Sequence, residues 1–273
     1  MALPIEVWVK DLQEKLHSDS AFLKTFTDYS AFVQGQYIHI PQAGNSPTIG
    51  IDTTTFPLVA VGRVDGDRTI RTHLYDTGAV KLPEIETGQI AYDKARSVMT
   101  DFYATLAEKM GDTALQSILP SAAKRIAQKT AAFTFDDVIA ISKQLDLDKV
   151  SKADRFLALP TEMYYELMAD ERVLKASYNG FGQSVVEGLN VTRVGNLNVY
   201  ERPLVATLAG EDVAIAYHKG SVVRSESAVN MFENNGTGNG DALYMGPVVS
   251  ANVWAGFGIK RDDEAGVVAI TRA

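Results

Sequence analysis

The strongest pattern in the chain is an amphipathic stripe in residues 86–112, ETGQIAYDKARSVMTDFYATLAEKMGD. Apolar side chains recur there at steps of three and four residues, which is the spacing of one face of an α-helix. The stripe consists of Ile90, Ala95, Val98, Met99, Phe102, Leu106 and Met110. Thr87 is the expected N-cap and Gly111 the expected C-terminal stop. At 1.5 Å per residue, such a helix spans roughly 35 Å, so it can act as the backbone of a fold.

Composition places the chain among folded globular proteins. Its 273 residues are 46% apolar and 22% charged, which suits one large domain or two interleaved ones. The chain has no cysteine, which excludes disulfides, thiolate metal sites and a cysteine nucleophile and fits a reducing compartment. The net charge of −8 argues against strong sequence-independent binding to nucleic acid, but not against enclosing DNA without gripping it. No apolar run reaches the ~20 residues of a membrane span, and the start is not a secretory signal.

Short helix and strand patterns fill the rest of the chain and indicate an α+β fold. Residues 1–30 read as an amphipathic helix and an arm, and Tyr37 to Ile40 as a strand that Pro41 ends. Residues 56–64 and 67–76 are expected to form an extended two-stranded ribbon with a turn at Asp65-Gly66. Further expected elements are an irregular helix at about 112–130, a helix behind a Thr134–Asp137 capping box, a strand at 156–159 before a helix capped by Thr161, a hairpin at Gly195-Asn196, a strand at 212–223, and two strands at about 247–259 and 265–271.

The loop MFENNGTGNGDALYMGP, residues 231–247, is the best candidate for a ligand site. Its Gly236, Gly238, Gly240 and Asp241 resemble a phosphate-binding loop or a calcium-binding turn. A dinucleotide fingerprint needs a strand before it and a helix after it, and ALYMGP is too short for a helix. Calcium-binding glycine–aspartate repeats work as stacked arrays, and this chain has one imperfect copy. The loop therefore reads as a solvated surface segment.

Other reactive residues are scattered or have structural readings. The histidines, His17, His39, His73 and His218, show no metal-ligand spacing. Asp136-Asp137 open a helix, where negative charge is favoured, and Asp262-Asp263-Glu264 read as a solvated turn. Tyr164-Tyr165 lacks the basic groove of a base-stacking site, which favours packing instead. We therefore expect no catalytic residue, no cofactor and no metal site.

The order of parts resembles the major capsid proteins of tailed bacteriophages, the Hong Kong 97-like fold. Four stretches carry the resemblance: FTDYSAFVQGQYIHIPQAG (26–44), TGQIAYDKARSVMTDFYATLAEKMGD (87–112), FDDVIAISKQLDLDKVSKADRFLALPTEMYYELMAD (135–170) and VVEGLNVTRVGNLNVYERP (185–203). They are similar to the arm and first strand, the spine helix, the start of the axial domain and its hairpin. The implied parts are an N-terminal arm (1–35), the first strand and extended loop (36–85), the spine helix and peripheral domain (86–133), the axial domain (134–245) and C-terminal strands that return to the peripheral domain (246–273).

The resemblance implies a shell subunit that self-assembles into hexamers and pentamers of an icosahedral head around double-stranded DNA. It also implies a virion location after assembly in the host cytoplasm, no membrane, and scaffolding, portal and decoration proteins as further candidate partners. The compact chain implies a separate scaffolding protein or none. A two-stranded ribbon is marginal alone, so it would lie on an adjacent subunit, and its mixed charges suit orientable contacts. The candidate assembly contacts are Arg63, Asp65, Asp67, Arg68, Arg71, Lys81 and Glu84.

Two other functions stay open at this point. Encapsulins, which are bacterial nanocompartment shells, share this fold and a similar length. A soluble α+β enzyme with its site near residues 231–247 is the alternative from a different class. Particle size separates the enzyme from both shells, because a shell has a mass of megadaltons and an enzyme of this length does not. A cargo-peptide groove at the inner surface, or a capsid emptied of DNA, would favour the encapsulin over the phage capsid.

Overall fold

The structure is a computed structural model that describes residues 20–44, 46, 49–52, 54, 62–81, 94–173, 193–234 and 248–272. Its helices are α1 (Lys94–Ser117), α2 (Phe135–Leu147) and α3 (Thr161–Ala169). Its strands are β1 (Thr27–Asp28), β2 (Val33–Gln34), β3 (Tyr37–Gln42), β4 (Gly66–Arg71), β5 (His73–Asp76), β6 (Val80–Lys81), β7 (Arg125–Ala127), β8 (Arg155–Pro160), β9 (Arg193–Val194), β10 (Leu197–Arg202), β11 (Ala206–Leu208), β12 (Glu211–His218), β13 (Val222–Glu226), β14 (Asn230–Asn234), β15 (Val248–Ile259) and β16 (Val267–Thr271).

The longest strand, β15, is the centre of sheet A. Strands β13 and β14 pair with its two halves along one edge, and β5 and β6 pair along the other edge. Asn252 shows this directly, because Asp76 lies opposite it on one side and Asn230 on the other. The short strand β1 adds to β13 in parallel. Sheet A thus combines segments from both ends of the described chain.

Sheet C is mixed and has the strand order β7-β16-β12-β8-β10-β9, with β11 also paired to β12. The pairs β8–β10 and β7–β16 are parallel, and the remaining neighbours are antiparallel. Both faces of its central strands are buried. In β12, Ile215 and Tyr217 face α1, whereas Ala214 and Ala216 face α2 and α3. This is the two-residue period of a strand applied to two different cores.

The first core joins α1 to both large sheets. Phe102, Leu106 and Met110 of α1 lie in one buried cluster with Val253 of sheet A and Ile215 of sheet C. The same cluster takes in three side chains of the segment before β1, namely Phe22, Leu23 and Phe26. The second core lies under α2 and α3 on the other face of sheet C.

A third sheet, sheet B, is formed by β2, β3 and β4. It lies on the outer face of sheet A, where Ile38, Ile40 and Ile70 pack against Val223 of β13. Gly258 permits this close approach, because a Cβ atom there would lie 3.0 Å from Cδ1 of Ile70. The β3–β4 pair is the base of the extended ribbon, so the ribbon is anchored on sheet A.

The structure corrects the predicted strands of the ribbon. Asp65-Gly66 is not a hairpin turn, because Gly66 begins β4 and lies opposite Gln42 of β3. Residues 62–65 are not a strand, and residues 55–61 lie outside the described part. The predicted second strand is divided at Thr72 into β4 and β5, which belong to different sheets. The pairing of Ile38 with Ile70 outweighs the local turn preference, because it buries apolar side chains that are distant in sequence.

Several predicted ends of elements are also wrong. Helix α1 does not stop at Gly111 but continues to Ser117. The glycine instead makes room for Arg202, which occupies the space that a Cβ of residue 111 would need. The expected irregular helix at about 112–130 is instead the end of α1, a single 3-10 turn and strand β7. Strand β3 continues through Pro41, at a point where its pairing partner is β4 alone. The N-cap at Thr87 and most of the helix predicted in residues 1–30 lie outside the described residues.

The α+β class is confirmed, together with several local predictions. The Thr134 N–H donates to Oδ2 of Asp137 at 2.9 Å, as expected of a capping box that opens α2. Gly195 has a φ of 58° in the two-residue turn between β9 and β10, which explains the glycine. The two terminal strands are present as β15 and β16.

Candidate assembly surface

Just beyond β3 and β4, the carboxylate of Asp65 joins the two segments of the ribbon by a hydrogen bond. The Gly44 N–H donates to Oδ1 of Asp65 at 2.8 Å, and Nε of Arg63 donates to the same oxygen at 2.6 Å. These two hydrogen bonds hold the pKa of Asp65 below its usual value, and the bond from Gly44 has the larger effect. The carboxylate therefore stays charged. We call the described residues 46, 49–52, 54 and 62–64, which lie between Gly44 and Asp65 in the sequence, the ribbon tip.

The ribbon tip leaves large apolar side chains in solvent. Ile49 and Ile51 are each 87% exposed, and Val64 is 84% exposed. Single exposed apolar residues are ordinary, but three large ones exposed to this degree among the few described residues of the tip favour contact with a partner. Burial of such area contributes about 25 cal/mol per Å² to association before its entropic cost is counted.

Four of the predicted assembly contacts already have partners in their own chain. Arg63 and Asp65 pair with each other, as described above. Asp67 accepts from Nδ1 of His39 at 2.7 Å across the ribbon, and Arg68 donates to Asp262 at 3.0 Å. These pairs are exposed, so each contributes little to stability. A contact between one of these four residues and a neighbouring copy would therefore add to, or compete with, a pair within the chain.

The remaining three predicted contacts differ from these. Arg71 and Lys81 are exposed and have no ion-pair partner among the described residues. Glu84 lies outside the described residues. The structure therefore places six of the seven residues along the ribbon and its continuation into sheet A, without joining them into one cluster.

Sequence reasoning missed the apolar part of this surface. The outer face of sheet A is covered by sheet B at one end only, and three apolar side chains remain exposed beyond it: Leu74 (43%), Phe232 (53%) and Trp254 (37%). Leu74 and Trp254 lie directly opposite each other on β5 and β15. A groove of about 280 Å³ separates Trp254 from the base of the ribbon. The period-two burial of β15, with alternate residues outward, is the signal that could have found Trp254.

The carboxylates that were candidates for catalysis have structural partners. Asp137 caps α2, and Asp136 accepts from Nη1 of Arg172 at 2.7 Å. In the 262–264 turn, Asp263 pairs with Arg261, and Glu264 accepts from both the N–H and the hydroxyl of Ser121. These arrangements position loops and helix ends, and they place no carboxylate pair in a cleft.

His218 and Tyr164 also have structural roles. His218 accepts from the Gly220 N–H through Nδ1 at 3.0 Å, which requires a neutral ring, and burial lowers its pKa. Tyr164 is buried in the second core, whereas Tyr165 is 60% exposed. His17 lies outside the described residues, as do Gly236, Gly238, Gly240 and Asp241 of the glycine-rich loop. Among the residues that the structure describes, no three metal-ligating side chains lie together.

In the described part of the chain, no helix combines the length and apolar character needed to cross a membrane.

Comparison with solved structures identifies the fold. The chain is similar to a chain in the capsid structure of cyanophage P-SCSP1u, with a TM-score of 0.75 over 98% of this chain and 93% of that chain at 15% identity. It is also similar to a structure of Mycobacterium phage Che8, with a TM-score of 0.77 over 98% and 97% at 16% identity. The chain has the phage capsid fold.

The capsid fold extends over nearly the whole chain. A chain in the head structure of Helicobacter pylori bacteriophage KHP40 gives a TM-score of 0.75 over 99% of this chain and 95% of that chain, at 11% identity. Neither family models nor curated proteins give a match. At such low identities the likeness concerns the capsid fold alone.

Proposed function

We propose that this chain is the major capsid protein of a tailed bacteriophage. Copies of it self-assemble into hexamers and pentamers of an icosahedral head that encloses double-stranded DNA. The observation that carries the proposal is the likeness to phage capsid and head structures over 97–99% of the chain. A subunit of this kind has a structural role and no catalytic one, and its place is the capsid of the virion.

The surface of the isolated subunit supports this proposal. Ile49, Ile51 and Val64 of the ribbon tip are exposed, and part of the outer face of sheet A is open and apolar. The two surfaces differ, so a contact between them joins unlike patches of neighbouring copies. Contacts of this type form rings where the rotation closes. The ribbon charges at Arg63, Asp65, Asp67, Arg68, Arg71, Lys81 and Glu84 remain the proposed assembly contacts.

The parts of the subunit follow from the same proposal. Residues 1–35 act as the arm, 36–85 as the first strand and extended loop, and 86–133 as the spine helix and peripheral domain. Residues 134–245 form the axial domain, and 246–273 return to the peripheral domain. Scaffolding, portal and decoration proteins are the candidate partners, assembly takes place in the host cytoplasm, and DNA is enclosed without specific binding.

The other two functions receive less support. An encapsulin-type compartment is not favoured, because the similar structures named above are phage structures described as capsids or heads, or by the phage itself. For the enzyme, the residues proposed to form its site in the glycine-rich loop lie outside the described part of the chain, and no observation favours it.

The proposal is tested by the size and shape of the purified protein. We expect particles of megadalton mass on gel filtration and closed shells by electron microscopy, alone or with a scaffolding protein. A stable monomer of 29.7 kDa that never assembles and turns over a substrate would contradict it. Shells that hold enzyme cargo and no DNA would instead support the compartment.

A further inference from the structure

The groove beside Trp254 lies on the outer face of sheet A, next to the base of the ribbon. Trp254 and Val33 are the large apolar side chains that line it. Ser225 and Thr72 line it close to Gly256, where a Cβ would lie 3.1 Å and 2.9 Å from their side chains. The groove has a volume of about 280 Å³ and is open to solvent, so a side chain of another molecule can enter it.

The groove is uncharged. Glu226 is the one charged residue among the described residues that line it. Its strand partner is Ala255, which belongs to the first core, and directly paired residues direct their side chains to the same face of a sheet. The Glu226 side chain therefore lies on the opposite face from Trp254. An apolar occupant fits such a groove, because a buried ion would find no counter-charge there.

The hydroxyl groups along the groove are not free to hold a polar ligand. Ser227 accepts from a backbone N–H at 3.0 Å, and Thr72 donates to a backbone carbonyl at 3.1 Å. Ser30 donates to a carboxylate at 2.6 Å. The Oγ of Ser225 has no partner among the described residues, but it is already buried, so an occupant removes no water from it. The surface on offer is therefore mainly apolar.

The ribbon of the same copy runs away from this groove. Its base lies above Gly256 at Thr72, whereas Gln42, at the far end of β3, donates to the carbonyl of Lys260 at 2.8 Å. The ribbon thus leads from the groove at Trp254 toward the end of β15. Strand β3 has six residues, which span about 20 Å, and the ribbon tip follows it. A tip that enters a groove therefore comes from a second copy.

The ribbon tip carries an apolar pair that suits the groove. Ile49 and Ile51 are each 87% exposed and are separated by Gly50 alone, so this stretch has no charge. On the receiving side, Leu74 is 43% exposed and lies opposite Trp254, which extends the apolar surface beyond the groove. Removal of these surfaces from water favours association without an ion pair.

We propose that the groove beside Trp254 binds the isoleucine pair Ile49 and Ile51 from the ribbon tip of a second copy. This inference rests on the proposed function and adds the side chains that enter and the surface that receives them. Because groove and tip are different patches, each copy donates one tip and accepts another. Such a contact closes into a ring where the rotation permits.

An introduced charge pair tests the contact. Ile51→Lys is expected to lower the yield of assembled particles at least about tenfold, since an ammonium group then enters an uncharged groove. Gln36 is exposed and lines the groove, so Gln36→Glu places a carboxylate beside that ammonium. The double variant is expected to recover much of the yield. Ile49→Lys, alone and with Gln36→Glu, tests the other isoleucine in the same way.

The matched control moves the carboxylate out of the groove. Gln34 is exposed, and it follows Val33 in β2, so its side chain points to the opposite face of the strand. Ile51→Lys with Gln34→Glu has the same net charge as the first double variant and is expected to stay as defective as Ile51→Lys alone. Thermal unfolding checks that every variant is folded.

The other outcomes overturn the contact. Normal assembly of both lysine variants does so, and so does a loss that Gln36→Glu relieves in neither. Equal relief by Gln34→Glu would assign the effect to net charge and not to the groove. If the unmodified chain forms no shell, the proposed function itself fails; if it forms shells and the lysine variants do too, this inference alone fails.

A second test uses the absence of cysteine from the chain. In the variant Ile51→Cys with Gln36→Cys, oxidation of assembled particles is expected to give a ladder of covalent oligomers on a non-reducing gel. One cysteine per subunit can link no more than two subunits, so either single variant must stop at dimers. A double variant that also stops at dimers, or that closes the bond within one subunit, would contradict the proposal.

Discussion

Gly111 is the residue at which sequence reasoning and structure differ most clearly. A glycine at the end of an apolar stripe is a typical helix stop, yet α1 continues for six residues beyond it, to Ser117. Arg202, which is 3% exposed, reaches across from sheet C at this position. Its Nη2 donates to the Glu108 carbonyl at 2.9 Å and to Asp112 at 2.7 Å. The glycine is therefore explained by the close approach of a buried guanidinium.

Because of this close approach, replacement of Gly111 by alanine should have the opposite effect on stability from the usual one. In an exposed helix interior, Gly→Ala stabilises by about 1 kcal/mol. We expect Gly111→Ala to destabilise instead, by about 1–3 kcal/mol, because the new Cβ overlaps the Arg202 guanidinium. Urea denaturation of the unassembled subunit measures the change.

The control for Gly111→Ala is the same substitution in a variant that lacks the guanidinium of Arg202. In an Arg202→Met background, Gly111→Ala is expected to be neutral or stabilising, so the two changes are strongly non-additive. Equal effects in both backgrounds would show that Arg202 is not the cause.

Asp170 shows how a carboxylate can serve two elements. Its Oδ2 accepts from the Phe135 N–H at 3.0 Å, at the start of α2, and Arg172 donates to the same carboxylate at 3.1 Å. Arg172, first among the causes, and the Phe135 N–H lower the pKa of Asp170 to about 2. The carboxylate thus caps a helix that begins 35 residues earlier in the chain.

Replacement of this carboxylate has a defined pH dependence. Asp170→Asn is expected to lower the free energy of unfolding by about 1 kcal/mol at pH 7, the usual value of a lost cap, since the Arg172 pair is half-exposed and adds little. The charged form stabilises the fold above the unfolded pKa near 4, and this is lost as the pH falls through about 2. The difference between wild type and variant should therefore shrink from pH 4 to pH 2. A difference that stays constant over that range would contradict the assigned role.

At the scale of elements, the sequence predicted the caps and turns that depend on residues close together in the chain. The capping residues Thr134 and Asp137 and the turn glycine Gly195 act within a few residues of themselves, and the structure has them as expected. The ribbon was assigned wrongly because β3 and β4 meet only after a long connection. The residues near Gly66 carry no sequence signal that its strand partner is Gln42. The sequence alone therefore offered no reason to reject the Asp65-Gly66 turn.

The same reasoning explains what was found of the assembly surface. Mixed charge along residues 63–71 was visible as a pattern, but their pairing with His39 and Asp262 depends on register and on loop position. Trp254 became a candidate only when the groove between the two sheets was known. Isolated apolar residues such as Ile49 and Ile51 look like core residues until their exposure is measured.

The ribbon tip gives a prediction that separates assembly from folding. Ile49→Asn with Ile51→Asn is expected to leave the unfolding free energy of the subunit within about 0.5 kcal/mol, because both side chains are already in solvent. The yield of particles should fall sharply, as sedimentation shows. Ile49→Val with Ile51→Val keeps the apolar surface and should assemble. Normal particles from the asparagine variant would refute the role of the tip.

At the scale of the whole molecule, one core holds both large sheets. Side chains of α1 belong to a single buried cluster with Val253 and Phe257 of sheet A and Ile215 and Tyr217 of sheet C. The two sheets therefore cannot separate without exposing this core to water. The helix pattern in the sequence predicted α1 itself, but not that its neighbours come from strands far apart in the chain.

The position of β15 and β16 has a consequence for protein synthesis. β15 is the central strand of sheet A, and β16 lies between β7 and β12 in sheet C. Both leave the ribosome after every other strand described here, so a nascent chain cannot complete sheet A before residue 259 has emerged, nor sheet C before residue 271. A chain released before residue 248 lacks a central strand of each sheet and exposes the edges of the neighbouring strands. Strands made early in synthesis must therefore wait for partners made late, and the native state requires translation at least through residue 271.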